Sequence, residues 1–238
     1  GKNFWNELNF KGKKDLNRLL SNAYDSFAAR MQPFDVFHPT YYSKTSLNRT
    51  AGKPMVITIH DMIDERFHQG HAAYENIISL RAKHINQANK IIAVSENTRN
   101  DLIELCGVDP NKIETIYHGN SFNTNIERAT LPQLFEQPYL LFTGKRYAYK
   151  NFDRLVQSLI PIMQANPDLY LVCAGGGAFK NAELTQLKTL HLNHRVIYQP
   201  IHDNEQLASL YNHAQCLVYP SLYEGFGLPI IEAFACGC

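Results

Sequence analysis

KIIAVSENTRNDLIELCG, residues 90–107, reads as a strand followed directly by a helix. Ile91 to Val94 form a short apolar run. Ser95 then stands where a helix wants a side-chain oxygen over its first amides, Leu102, Ile103 and Leu105 supply an apolar face, and Gly107 stands where a helix end favours positive φ. Outward from this unit the alternation repeats. DVFH (35–38), MVITIH (55–60) and a helix near 71–88 precede it, and IETIY (113–117) follows. Strands separated by helices predict a parallel sheet.

From about 118 to 137 the pattern lapses into a polar stretch punctuated by Gly, Asn and Pro, as in a linker between domains. A second alternation follows: YLLFTG (139–144), a helix from about 151, LYLVCAG (169–175), a helix near 179–190, RVIYQ, a helix from Asp203, CLVYP (216–220), and a helix opening at Pro229. Asp203 with Gln206 three residues on has the spacing of a capping box. The chain therefore reads as two α/β domains, 1–130 and 131–238.

With 238 residues and 45% hydrophobic content, the chain has enough apolar material for two modest cores. Lys plus Arg number 23 against 22 for Asp plus Glu, so no global field recruits nucleic acid and any anion site must be local. The five cysteines are odd in number and scattered, which fits a reducing cytoplasm better than a disulfide scaffold. No apolar run approaches the roughly 18–20 residues that span a bilayer, and the first residues lack a signal peptide's apolar stretch. The opening segment mixes Phe4, Trp5 and Phe10 with Lys2, Lys11, Lys13, Lys14 and Arg18. That mixture suits peripheral contact with an anionic membrane surface, and equally a solvated helix face.

Three stretches carry chemistry. In PSLYEGFGLPIIEAFACG (220–237), Gly225 and Gly227 allow close backbone approach to a ligand, Pro229 suits the start of a helix, and an open helix N-terminus attracts a diphosphate. Glu224 lies beside that turn, and Glu232, eight residues on, is placed to accept hydrogen bonds from ribose hydroxyls. In TGKRYAYKNFDRLV (143–156), a strand ends at Gly144, and Arg146 and Lys150 follow as cations for a departing nucleoside diphosphate, with Lys145 a competing candidate. In VITIHDMIDERF (56–67), His60 and Asp61 fall at the C-terminal end of a strand, the edge where open α/β sheets bind ligands. AGGGAF (174–179) lacks dinucleotide-site spacing, and the pairs His68/His71 and His191/His194 lack further ligands, so no metal site is expected and both pairs read as solvent-facing.

The 220–237 stretch resembles the E-x7-E signature of retaining glycosyltransferases of family four, with the GT-B fold of two Rossmann-like domains facing a cleft. The resemblance implies that Glu224 and the backbone of Gly225, Phe226, Gly227 and Leu228 hold the donor sugar and that Glu232 holds the ribose. It further implies that Gly144, Arg146 and Lys150 serve the diphosphate and that His60 lies near the transferred sugar. Asp61, Ser95 and Glu96 fall on the acceptor side, with a plain helix cap the alternative for Ser95. Base recognition is expected near Pro200 and Ile201. The nucleotide sugar is a substrate, no cofactor or metal is implied, and the acceptor is a saccharide or a lipid-linked molecule, which would place the protein at the inner face of the membrane. HPTYY, HDMIDERF and YKNF resemble members that build bacterial surface polysaccharides, several of which use GDP-mannose. The same resemblance implies that both domains are incomplete, the first at its start and the second at its end. Alternative readings are a GT-B-like epimerase or phosphorylase, and a subunit that binds donor without turnover.

Overall fold

The computed structural model describes residues 20, 24, 33–39, 41–47, 52–122 and 132–238. The basic and aromatic residues from Lys2 to Arg18, on which the expectation of membrane contact falls, lie outside the described residues. Between Ile116 and Tyr117 the chain divides into two compact units.

The first unit carries strands β1 (Val56–Ile59), β2 (Lys90–Ala93) and β3 (Ile113–Thr115), parallel and adjacent in chain order. Its helices are α1 (Lys44–Leu47), α2 (Ile63–Phe67), α3 (Ala72–Gln87) and α4 (Glu96–Cys106). Ile57, Ile59, Ile91 and Ala93 alternate into a core closed by Leu102 and Ile85. Ser95 caps α4, its hydroxyl accepting from the Thr98 amide at 3.0 Å, and Gly107 ends it in the left-handed region at φ 63°. DVFH forms one parallel bridge, Phe37 with Met55, instead of a strand. The Phe37 amide donates to Pro54 and the Val56 amide to Phe37. Continuing that ladder needs the amide of residue 39, which is a proline.

Helix α2 had no sequence signal. It is fixed by charge: Arg81, 3% exposed, donates to Asp64 Oδ2 at 2.8 Å, to Glu65, and to the Asp61 carbonyl at 3.3 Å. Arg66 reaches the buried Asp101 on α4 through Nε at 2.9 Å. A buried guanidinium is tolerable only when paired in this way. Burial pushes the Glu65 carboxyl up, against the pull of Arg81.

The second unit holds β4 (Tyr139–Thr143), β5 (Tyr170–Ala174), β6 (Val196–Gln199) and β7 (Cys216–Leu217) in the order β6-β5-β4-β7, all parallel. Alternate residues go to opposite faces. Tyr139, Leu141, Val172 and Ala174 pack against α7 (Asn204–His213) and α8 (Leu228–Ala235) through Leu210, Tyr211 and Ala233. Phe142, Leu171 and Cys173 pack against α5 (Phe152–Ala165) and α6 (Asn181–Thr189) through Leu155, Leu159 and Leu187. A parallel sheet covered on both faces is the doubly wound arrangement.

Two local readings change. Asp203 caps α7 by accepting from the Gln206 amide at 2.8 Å, but the Gln206 side chain accepts from His202, one residue before the cap, so the reciprocal box is displaced. The expected linker is anchored where it is described. Phe122 is buried against Tyr211, Leu134 and Phe135 join the same core, and Ser209 donates to the Pro132 carbonyl.

Candidate active site

Strands β5 and β6 lie to one side of β4 and β7 to the other, so the chain reverses its direction of travel across the sheet at β4/β7. At such a switch point the loops leaving adjacent strands diverge and open a crevice at their C-terminal ends. Lys150 comes from the loop after β4 and Glu224 from the loop after β7. Separated by 74 residues in sequence, they meet with Lys150 Nζ donating to Glu224 Oε1 at 2.5 Å. Their side chains are 14% and 20% exposed, so the pair is largely desolvated yet reachable.

Aromatic rings frame this pair. Lys150 Nζ lies 5.5 Å from the Tyr149 ring centroid and 5.4 Å from that of Tyr219, positions where a ring face attracts a cation. Burial pushes the Tyr219 phenol well above its ordinary range, and Glu224 adds to this through its charge and a hydrogen bond. Glu232 is held likewise: Tyr211 donates to its Oε2 at 2.9 Å, and burial raises the Tyr211 phenol too. Glu232 is the fifth residue of α8, on the helix that leaves the same loop.

Between the two glutamates, Gly227 caps α8 at φ 95° and ψ 44°, a conformation that excludes most side chains. Gly225 is buried but has no positive φ, so the turn's special backbone rests on Gly227 alone of the two. Leu228 begins the helix, and Pro229 takes its second position rather than its first. Phe226 packs edge-on to His118, centroids 5.4 Å apart at 84°, and 6.0 Å from Tyr117.

Arg146 is placed differently from Lys150. Its Nε donates to Glu183 Oε1 at 2.6 Å, one terminal nitrogen donates to the carbonyls of Gly177 and Ala178 at 2.9 and 3.1 Å, and the side chain is 4% exposed. The Phe179 ring lies 4.7 Å from its guanidinium carbon. Nη1 is buried with no hydrogen-bond partner among the described residues. Burial opposes ionisation of Glu183, but Arg146 and the Lys180 amide prevail and hold its carboxyl below the usual range. Arg146 thus ties the loop after β4 to the start of α6. Gly144, at the end of β4, donates to the Ala174 carbonyl at 2.9 Å. Lys145 lies over Tyr147 and lines a cavity of about 470 Å3 with Arg146, Lys180, Glu183 and Gln186.

In the first unit, His60 is exposed just past β1, and Ser95 and Glu96 follow β2. The register pairs Ile59 with Ala93, so these residues share one edge of the sheet. Asp61 accepts from the Ile63 amide at 3.1 Å and so opens α2. His68 is not solvent-facing as expected. It stacks on Tyr74 at 3.9 Å and lies 3.3 Å from Asp64, whereas His71, His191 and His194 are exposed. Among the described residues no three His, Cys, Asp or Glu side chains cluster as metal ligands, and no helix is long and apolar enough to cross a membrane.

The profile described as Glycosyltransferase Family 4 matches residues 7–121, and that described as Glycosyl transferases group 1 matches residues 124–238. The chain belongs to glycosyltransferase family 4. O-antigen chain mannosyltransferase B of Escherichia coli is 29% identical over 233 residues, a match covering 92% of this chain and 60% of that protein. The O-antigen chain mannosyltransferase RfbU of Salmonella typhimurium is 25% identical over 179 residues, covering 75% and 49%. The sucrose-phosphate synthase of Thermosynechococcus elongatus superposes with a TM-score of 0.68 at 21% identity, covering 98% of this chain and 62% of that one, and shares the GT-B fold. The chain spans about 60% of the length of the first of these relatives.

Among the residues of this site, sequence reasoning missed Tyr219, Tyr211 and Glu183. Tyr219 carried one signal, since it stands next to last in the CLVYP stretch and so falls at the ligand-binding edge of a parallel strand. Tyr211 and Glu183 lie on helices, and nothing in their spacing points to Glu232 or Arg146.

Proposed function

We propose that the intact protein transfers a sugar from a nucleotide diphosphate donor, GDP-mannose favoured, to a hydroxyl of a saccharide or lipid-linked acceptor, with retention of configuration. The observation that carries this reading is the Lys150–Glu224 pair at the β4/β7 switch point, with Glu232 on the helix that follows. The mannose lead rests on the likeness to two O-antigen mannosyltransferases.

In this reading Glu232 accepts hydrogen bonds from the ribose, its position set by Tyr211. Glu224 and the backbone from Gly225 to Leu228 hold sugar hydroxyls, and Lys150 turns toward the diphosphate. As the bond from the anomeric carbon to the phosphate oxygen breaks, negative charge grows on the diphosphate, and a fixed cation stabilises that state more than the ground state. The acceptor oxygen bonds to the anomeric carbon from the same face, and its proton passes to the departing phosphate oxygen. No divalent ion is needed where lysine and the helix N-terminus supply positive potential. Arg146 acts mainly by shaping the loop after Gly144, with Nη1 its remaining donor. His60, Asp61, Ser95 and Glu96 serve the acceptor.

The test is to incubate the intact protein with a panel of nucleotide sugars, with and without acceptor, in EDTA. Acceptor-dependent release of nucleoside diphosphate and a product with the donor's anomeric configuration by NMR are expected. Donor consumption without acceptor, an inverted product, or activity restored only by magnesium or manganese would overturn the corresponding part.

A further inference from the structure

Asn151 and His191 are the non-glycine residues with positive φ among those described. Asn151 sits at φ 57° and ψ 32°, immediately after Lys150 and at the N-cap of α5. Asparagine is common at helix N-caps because its side chain accepts from the helix's own first amides, but here no such bond forms. Its carboxamide instead crosses to the loop after β7 and donates from Nδ2 to the Pro220 carbonyl at 3.2 Å. One residue before Lys150, the Tyr149 carbonyl accepts from the Leu222 amide at 2.8 Å. Lys150 is therefore flanked on both sides by bonds to residues 220 and 222 of the segment that delivers Glu224. The left-handed turn at Asn151 lets the chain leave a 3-10 turn (Ala148–Lys150) for α5 while the carboxamide keeps this reach.

We propose that Asn151 is a positioning residue: its left-handed backbone and its bond to Pro220 hold Lys150 in register with Glu224. The left-handed conformation admits Gly and Asn with little strain, but only Asn also supplies the donor, so both properties are needed at one position. The consequence for turnover rests on the reading above, whereas the consequence for the ion pair does not.

The test uses the intact protein with Asn151→Gly, which keeps the backbone and removes the bond, and Asn151→Asp, which turns an acceptor toward the Pro220 carbonyl. Both should lower kcat roughly tenfold or more, with donor KM changed much less, because a small misplacement of a charge-stabilising group acts on the transition state. A role in folding alone would lower the melting temperature and leave kcat intact. A second arm reads the pair directly through a thermal double-mutant cycle of Lys150→Met and Glu224→Gln, in the wild-type and Asn151→Gly backgrounds. Non-additivity of about 2–4 °C is expected in the wild type and should be lost in Asn151→Gly. Equal non-additivity in both backgrounds would overturn the proposal, whether or not the protein turns over a nucleotide sugar. Wild-type kcat in Asn151→Gly, in a protein that Lys150→Met inactivates, would overturn its catalytic consequence and leave the active-site reading standing.

Discussion

Replacing Lys150 by Met keeps most of the side chain's apolar length and removes its charge, so its effect on stability and on turnover can be worked out separately. For stability, the change strands the Glu224 carboxylate, 20% exposed, without the cation 2.5 Å away. The pair lies between the exposed limit, worth under ~1 kcal/mol, and the buried limit, where breaking one partner costs ~3–5 kcal/mol, so a loss of about 1–3 kcal/mol is expected. For turnover, losing one preorganised charge-stabilising group costs about 2.7–4 kcal/mol in the transition state, or roughly 100- to 1000-fold in kcat. The double variant Lys150→Met/Glu224→Gln separates the two, because neither side chain is then charged. It should recover most of the melting temperature of the single variant and none of its turnover. The assay is acceptor-dependent release of nucleoside diphosphate by the intact protein, with a thermal melt on the same samples. Lys150→Met with kcat within about threefold of wild type would refute the assignment of the leaving-group charge to Lys150.

Glu232→Ala should weaken donor binding roughly 10- to 100-fold by calorimetry, since a carboxylate holding ribose hydroxyls contributes charge-assisted bonds of about 1.5–3 kcal/mol; unchanged affinity would remove Glu232 from the site. Because the folded-state Glu183 carboxyl lies below its usual value, its pairing with Arg146 stabilises fully above the ordinary glutamate value of about 4.3 and is lost as pH falls through the folded value. The melting-temperature gap between wild type and Glu183→Gln should accordingly narrow on acidification, and a gap independent of pH would contradict the pairing. Gly176→Ala should destabilise by about 2 kcal/mol or more on denaturant unfolding, because its Cβ would clash with the Gly144 carbonyl group while φ stays near 72°; a neutral result would mean that the loop after β4 yields freely.

The alternation of strand and helix was legible because the two central strands of the second unit, β4 and β5, are nearly unbroken apolar runs buried on both faces, and the runs are separated by amphipathic stretches. The cap at Ser95, the left-handed Gly107 and the turn at Gly227 were equally legible, since each depends on one residue's own conformational preference. What sequence left open depends on partners distant along the chain. Arg146 and Lys150 look alike as cations after a strand, yet Glu183 on α6 holds one and Glu224 beyond β7 holds the other. Helix α2 exists through Arg81 and Asp101, neither of which lies near it in sequence. DVFH had a strand's composition, and its ladder ends on a missing proline N–H, a matter of register that composition does not contain.

The most direct test is a crystal structure of the intact protein with a bound nucleotide sugar or nucleoside diphosphate. The diphosphate should lie within hydrogen-bond reach of Lys150 Nζ, about 2.7–3.2 Å, with the ribose hydroxyls on Glu232 and the Lys150–Glu224 bond opened or shared. A nucleotide seated instead in the cavity lined by Lys145, Lys180 and Gln186, with Lys150 still closed on Glu224, would contradict the account.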